Sequence, residues 1–199
     1  MRYTGQRSEL DAPLVRVANA LRLAFVPLVV VAVLQGEPWM LVALVVGAGV
    51  ALLPLILERV RPAALSGVVH LAAVALPLAD LAGRTLHLYE SSELPYDVFS
   101  HGVGVASATA LLLLFAAARL DSLGWRHKPV AIAVVGGVIG LAIAVGWELV
   151  ELGAEPLFSG TLQHGLDDTL LDVVAGLAGA VAASLIVVLY WRAEKSPAR

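Results

Sequence analysis

VAIAVVGGVIGLAIAVGWELVE, residues 130–151, is the stretch that decides how this chain folds. Residues 130–147 carry no ionisable side chain. A helix needs roughly 20 mostly apolar residues to cross a bilayer, and this stretch supplies them, with Glu148 and Glu151 confined to one end. Working outward, five more stretches meet the same requirement: about 17–35, 39–58, 65–87, 97–118 and 169–191. The first is the weakest, because Arg16, Asn19 and Arg22 interrupt its start. From Arg22 to Gln35 it is too short to span unless the arginines snorkel to the interface. A basic start before an apolar run also fits a signal peptide. No small-x-small cleavage site precedes Glu37, so the segment is expected to be a retained helix.

Composition agrees. The 199 residues are 59% apolar and 15% charged, with a mean hydropathy of +0.87. A soluble domain is about 45–50% apolar and about 25% charged. These values exclude an ordinary soluble enzyme, a disordered chain and a nucleic-acid binder. The length suits a single integral membrane domain over residues 1–199. There is no cysteine, which excludes disulfides, thiolate metal sites and a Cys nucleophile.

The loops between the six stretches alternate in charge. Arg2, Arg7, Arg16 and Arg22 precede or open the first, and Arg59 and Arg61 lie between the second and third. Arg119, Arg126 and Lys128 lie between the fourth and fifth, and Arg192, Lys195 and Arg199 follow the sixth. Six spans put all of these on one side, and only Arg84 falls elsewhere. The positive-inside rule makes that side cytoplasmic. The expectation is therefore an all-α, six-helix bundle with both termini inside, multi-pass in the cytoplasmic (inner) membrane and in contact with membrane lipids. Small residues recur at helix-packing spacing: Gly136 with Gly140, Gly102 with Ala106, and Gly176 with Gly179 and Ala183. They predict close contact among the fourth, fifth and sixth spans.

Ionisable groups inside spans are expensive and call for explanation. Asp80, Arg84 and His87 are spaced i, i+4, i+7, so they are expected to share one face of the third helix. Asp97 and His101 are i, i+4. Glu148 and Glu151 are i, i+3. Asp168 and Asp172 are again i, i+4. At 1.5 Å per residue all four pairs fall at the same, outer, end. Such a cluster cannot stay fully ionised in a low dielectric without cations, protons or water. Plainer roles compete for some residues. Asp167 and Asp168 sit where N-caps belong, and Asp80 and Arg84 suit an ion pair. Glu93 and Glu155 read as solvated loop residues, and His127 as a headgroup-facing one. His164 and Gln163 could cover the cluster. His70 lies in the inner half of the third span, where a hydrogen bond to a neighbouring helix is expected.

Oxygen and imidazole ligands without sulfur suit Mg²⁺, Mn²⁺, Zn²⁺ or non-haem iron, and helix bundles build metal sites from Glu and His on facing helices. The candidate ligands are Asp97, His101, Glu148, Glu151, Asp168 and Asp172. Glu148, Glu151, Asp80 and Arg84 are the candidates for catalysis, with metal-assisted hydrolysis at the membrane surface as the leading chemistry. A proton- or cation-coupled transporter and a non-catalytic membrane protein are the alternatives.

Three motifs in order, Tyr96-Asp97-x-x-x-His101-Gly102, Trp147-Glu148-x-x-Glu151 and Asp168-Thr169-x-x-Asp172, resemble the YjdF-type inner-membrane protein family, a domain of unknown function. A looser likeness runs to VanZ-like proteins, which share the D-x-x-x-H helix start and a late acidic helix. The resemblance covers about residues 86–183. It marks Asp97, His101, Glu148, Glu151, Asp168 and Asp172 as family-like positions and implies no established reaction.

Overall fold

A computed structural model describes residues 11–36, 38–60, 65–90, 96–125, 128–154 and 165–194. Arg2, Arg7, Glu37, Arg61, Glu93, Arg126, His127, Glu155, Gln163, His164, Lys195 and Arg199 lie outside the described residues. Seven α-helices account for nearly everything described: α1 (Asp11–Gln35), α2 (Pro38–Val60), α3 (Gly67–Thr85), α4 (Tyr96–Phe115), α5 (Ala117–Ser122), α6 (Pro129–Ala154) and α7 (Leu166–Glu194). One turn of 3₁₀ helix, Leu88–Glu90, follows α3. All but α5 are long and apolar enough to cross a membrane. Inside a bilayer a backbone must satisfy its own hydrogen bonds, which is why apolar stretches of this length take helical form.

Local signals set the boundaries. Pro38 and Pro129 occupy the first position of α2 and α6, where a missing N–H costs nothing. Gly36 ends α1 with φ +72°, a left-handed conformation that suits a residue lacking Cβ. Ser66 caps α3, its hydroxyl accepting from the Val69 N–H.

The first span differs from expectation. α1 begins at Asp11, so it has 25 residues and is long enough to cross a membrane. Arg22 turns inward, because hydrogen-bond acceptors on α2 and α3 await it there.

The helices fall into two sets. In α1, α2 and α3 each helix contains an internal proline: Pro27, Pro54 and Pro77. Both α1 and α2 pack chiefly on α3, which also packs on α4. In the second set, α4, α6 and α7 pack on one another as the small-residue spacing predicts. The approach is close. A Cβ on Gly140 would collide with the Ala180 methyl, and one on Gly136 with the Ser184 side chain. A Cβ on Gly179 would strike the Gly102 carbonyl. Large apolar side chains such as Leu34, Val45, Val130 and Leu149 stay exposed, an outer surface suited to lipid rather than water.

Candidate functional site

The C-terminal end of α6 and the N-terminal ends of α4 and α7 meet at one end of the bundle. Because α4 and α7 touch through glycine and alanine, their first turns come close enough for side chains to converge. His101 stands one turn into α4, buried, at its centre. Its Nε2 lies 3.4 Å from Asp97 Oδ1 and 3.9 Å from Asp172 Oδ2. Its Nδ1 lies 3.5 Å from Glu148 Oε1. Glu148 and Asp172 are buried with it, whereas Asp97 is about one-third exposed. Glu151, one turn beyond Glu148, receives the Trp147 indole N–H at 2.8 Å.

Two groups of potential ligands share this imidazole: Asp97, His101 and Asp172, whose carboxylates lie on the Nε2 side, and His101, Glu148 and Glu151, of which Glu148 lies on the Nδ1 side. The ring-to-carboxylate distances exceed an ordinary N–H···O bond of about 2.7–3.2 Å. At Nε2 the Asp97 distance of 3.4 Å equals the separation of neighbouring ligands around one small tetrahedral cation, and the Asp172 distance of 3.9 Å exceeds it by about 0.5 Å. With metal–ligand bonds of about 2.1 Å, that separation is about 3.0 Å in octahedral and about 3.4 Å in tetrahedral geometry. Asp172 adds an independent sign. Its side chain is 2% exposed, yet its Oδ1 has no hydrogen-bond partner among the described residues, an arrangement that costs several kcal/mol for an isolated charge. The donor set therefore fits a hard or borderline divalent ion.

The other candidates sit around this centre. Asp168 lies one turn towards the start of α7 from Asp172, at the rim, and is not among the converging ligand groups. Asp80 and Arg84 pair with each other, Nε to Oδ1 at 2.8 Å, as i, i+4 spacing on α3 allows. Tyr89 donates its hydroxyl to Asp80 Oδ1 at 3.3 Å and stacks edge-on against Tyr96. Tyr96 in turn donates to the Ala79 carbonyl at 2.7 Å. Burial pushes the Tyr89 phenol well above its ordinary pKa, and the nearby Asp80 and Asp97 carboxylates add to the effect. The hydroxyl thus remains a donor at neutral pH. His87 does not share the Asp80–Arg84 face. α3 stops at Thr85, and His87 takes φ +55°, which turns its ring towards Gln35 at 3.3 Å.

His70 makes the interhelical bonds expected of it, and a second polar network surrounds it. Arg22 and Glu58 contact opposite sides of its ring. Sequence reading missed this network, because Arg22 looked like part of a basic start and Glu58 like the edge of a span. The available signal was that Arg22, Glu58 and His70 all fall within or at the edges of apolar stretches. A third feature was also missed. Asp11, buried at the same end, accepts from the Gly67 N–H at 2.6 Å and the Tyr190 hydroxyl at 3.0 Å, tying α1, α3 and α7 together.

A family model described as "Predicted membrane protein (DUF2238)" matches residues 17–193. It does not extend the looser likeness to VanZ-like proteins. No curated protein and no solved structure matches the chain.

Proposed function

The chain belongs to the DUF2238 family of predicted membrane proteins, the YjdF-type family its motifs resemble, and from its His101 cluster we propose a divalent-cation-binding, multi-pass membrane protein. The observation that carries this reading is the spacing of three ligand-type side chains at Nε2, with a buried Asp172 oxygen that lacks a hydrogen-bond partner among the described residues. Asp97, His101 and Asp172 hold the ion. Three protein ligands leave a position open for water or substrate, as in catalytic sites.

The Nδ1 side then has a defined role. A metal-bound imidazole usually gives its second N–H to a carboxylate, which fixes the tautomer and orients the ring. Glu148 stands in that direction. Glu151, held by Trp147, is the group placed to take up or release a proton at the rim. A bound divalent ion would supply Lewis acidity towards a carbonyl or phosphoryl oxygen. On this reading the protein is a hydrolase acting at the membrane surface. Orientation follows from charge: the end carrying Arg59, Arg119 and Lys128 is cytoplasmic and the His101 end faces outwards, in the cytoplasmic membrane.

Elemental analysis of purified protein, wild type beside Asp172→Ala, tests the reading. The expected result is about one equivalent of Mg, Mn, Zn or Fe per chain, lost in the variant. A wild-type protein that retains no stoichiometric metal, even after incubation with each ion, overturns it.

One observation favours a second reading, a proton- or cation-coupled transporter. Thr109 is wholly buried two turns further along α4 than His101, and its hydroxyl has no hydrogen-bond partner among the described residues. This places a polar step inside the bundle. Proton or cation flux into proteoliposomes that disappears in Asp97→Asn would support it. Flux unaffected by Asp97→Asn and Glu148→Gln would remove the cluster from any such pathway.

A further inference from the structure

The network around His70 lies at the end of the bundle opposite the His101 site. The His70 ring is fully buried. Arg22 Nη2 stands 3.2 Å from His70 Nδ1, and His70 Nε2 stands 3.1 Å from Glu58 Oε1. A guanidinium carries donors only. His70 Nδ1 therefore accepts, its ring proton sits on Nε2, and that proton is donated to Glu58. The same Glu58 oxygen accepts the Leu65 N–H at 2.8 Å. Arg22 uses two more of its five donors. Nε donates to the Ala51 carbonyl at 2.7 Å and Nη1 to Asn19 Oδ1 at 2.6 Å.

Three acceptors from three helices thus surround one cation: an amide oxygen of α1, a carbonyl oxygen of α2 and a ring nitrogen of α3. The order carboxylate, imidazole, cation is the order found around metal-binding histidines, with a guanidinium in the cation's place. We propose that the Ala51 carbonyl, Asn19 and the Glu58–His70 dyad form a cation cradle whose ligand is the chain's own Arg22, a tethered plug that holds α1 against α2 and α3. Arg22 is half-buried, and its removal takes a donor from the buried His70 ring and the buried Ala51 carbonyl, which is destabilising. α1 and α2 touch each other only lightly and both lean on α3, so this plug is a polar tie joining all three. The proposal is independent of any metal at His101.

Chemical rescue tests it on the full chain in nanodiscs, read by backbone hydrogen exchange of α1 and α2. Arg22→Ala is expected to speed exchange in α1 by about tenfold or more, the signature of local opening. Sub-denaturing guanidinium should restore protection, while sodium chloride at equal ionic strength and urea, a neutral molecule of the same shape, should not. Arg22→Ala/His70→Ala should gain nothing from guanidinium. Unchanged exchange in Arg22→Ala, or equal rescue by sodium chloride or urea, overturns the proposal. If Arg22→Ala does not fold, Arg22→Lys serves instead. Lysine keeps the charge but loses the fork, so its α1 should exchange at an elevated rate, and wild-type exchange there also overturns the proposal.

Discussion

Alanine at Gly179 and at Gly137 should have opposite consequences, although the chemical change is the same. Both glycines lie inside long helices, α7 and α6. Each substitution gains about 1 kcal/mol of helix propensity, a term that cancels when the variants are compared. What remains is packing. Around Gly137 an added Cβ meets no atom within 4 Å. At Gly179 it would strike the Gly102 carbonyl oxygen, with the carbonyl carbon at 3.0 Å and Cα at 3.3 Å. These are backbone atoms, so no rotamer change relieves the contact, and α4 and α7 must separate. Overpacking of this kind costs about 1–3 kcal/mol. Gly179→Ala should therefore be less stable than Gly137→Ala by about that amount, roughly 5- to 150-fold in the unfolding equilibrium. Reversible unfolding of both variants in SDS-titrated mixed micelles, followed by circular dichroism, measures the difference. Gly102 adjoins His101 and Gly179 follows Asp172 by two turns. The same separation should widen the gap between those two side chains and weaken cation binding in Gly179→Ala alone. Unfolding midpoints that coincide within error would refute the close-approach account of the α4–α7 contact.

Other outcomes follow from single contacts. Glu148→Ala should weaken cation binding by about 10- to 100-fold, the usual cost of losing a residue that orients a ligand, whereas Asp172→Ala should abolish it. The reverse ranking in a titration with Mn²⁺ would place the ion on the Nδ1 side of His101. Tyr190→Phe removes one donor to Asp11 and should cost about 1 kcal/mol. Asp11→Ala should cost more in the same unfolding assay, because it also strips the Gly67 N–H of its acceptor. Asp80→Asn should cost less than about 1 kcal/mol, since the pair with Arg84 is partly exposed. Single cysteines introduced into this cysteine-free chain test orientation. A membrane-impermeant thiol reagent should label His87→Cys from outside intact cells, and Trp125→Cys only in inverted vesicles. Labelling of both from one side would refute the six-span topology.

Much of the architecture was legible in the sequence because the bilayer imposes a simple rule. A stretch such as 130–151 has the length and apolarity of a span wherever it packs, so the six spans could be found without tertiary information. The i, i+3 and i, i+4 pairs of the candidate site were legible too, for the helical period sets which side chains share a face. The period applies only where the helix continues, and His87 shows its limit. α3 ends two residues earlier and the chain turns left-handed, so the expected face with Asp80 and Arg84 does not form. Arg22 shows another limit. From sequence it belonged to a basic flank. Its actual environment consists of an Ala51 carbonyl and a His70 nitrogen that come from helices distant in the chain.

By itself, then, the sequence determined that this is an all-helical membrane protein and which residues stand at the depth of the site. Hydropathy and helical period are properties of consecutive residues, and they need no knowledge of neighbours. Only the tertiary structure decided which side chains meet. The contact of Gly102 with Gly179, and of Gly140 with Ala180, brings α4, α6 and α7 close enough for His101 to lie between Asp172 and Glu148. The packing of α1 and α2 on α3 decided, equally, that the half-buried Arg22 would bond the Ala51 carbonyl and the His70 ring. In both places the deciding quantity is a distance between helices, and helix–helix distance is set by pairs of residues far apart in the chain.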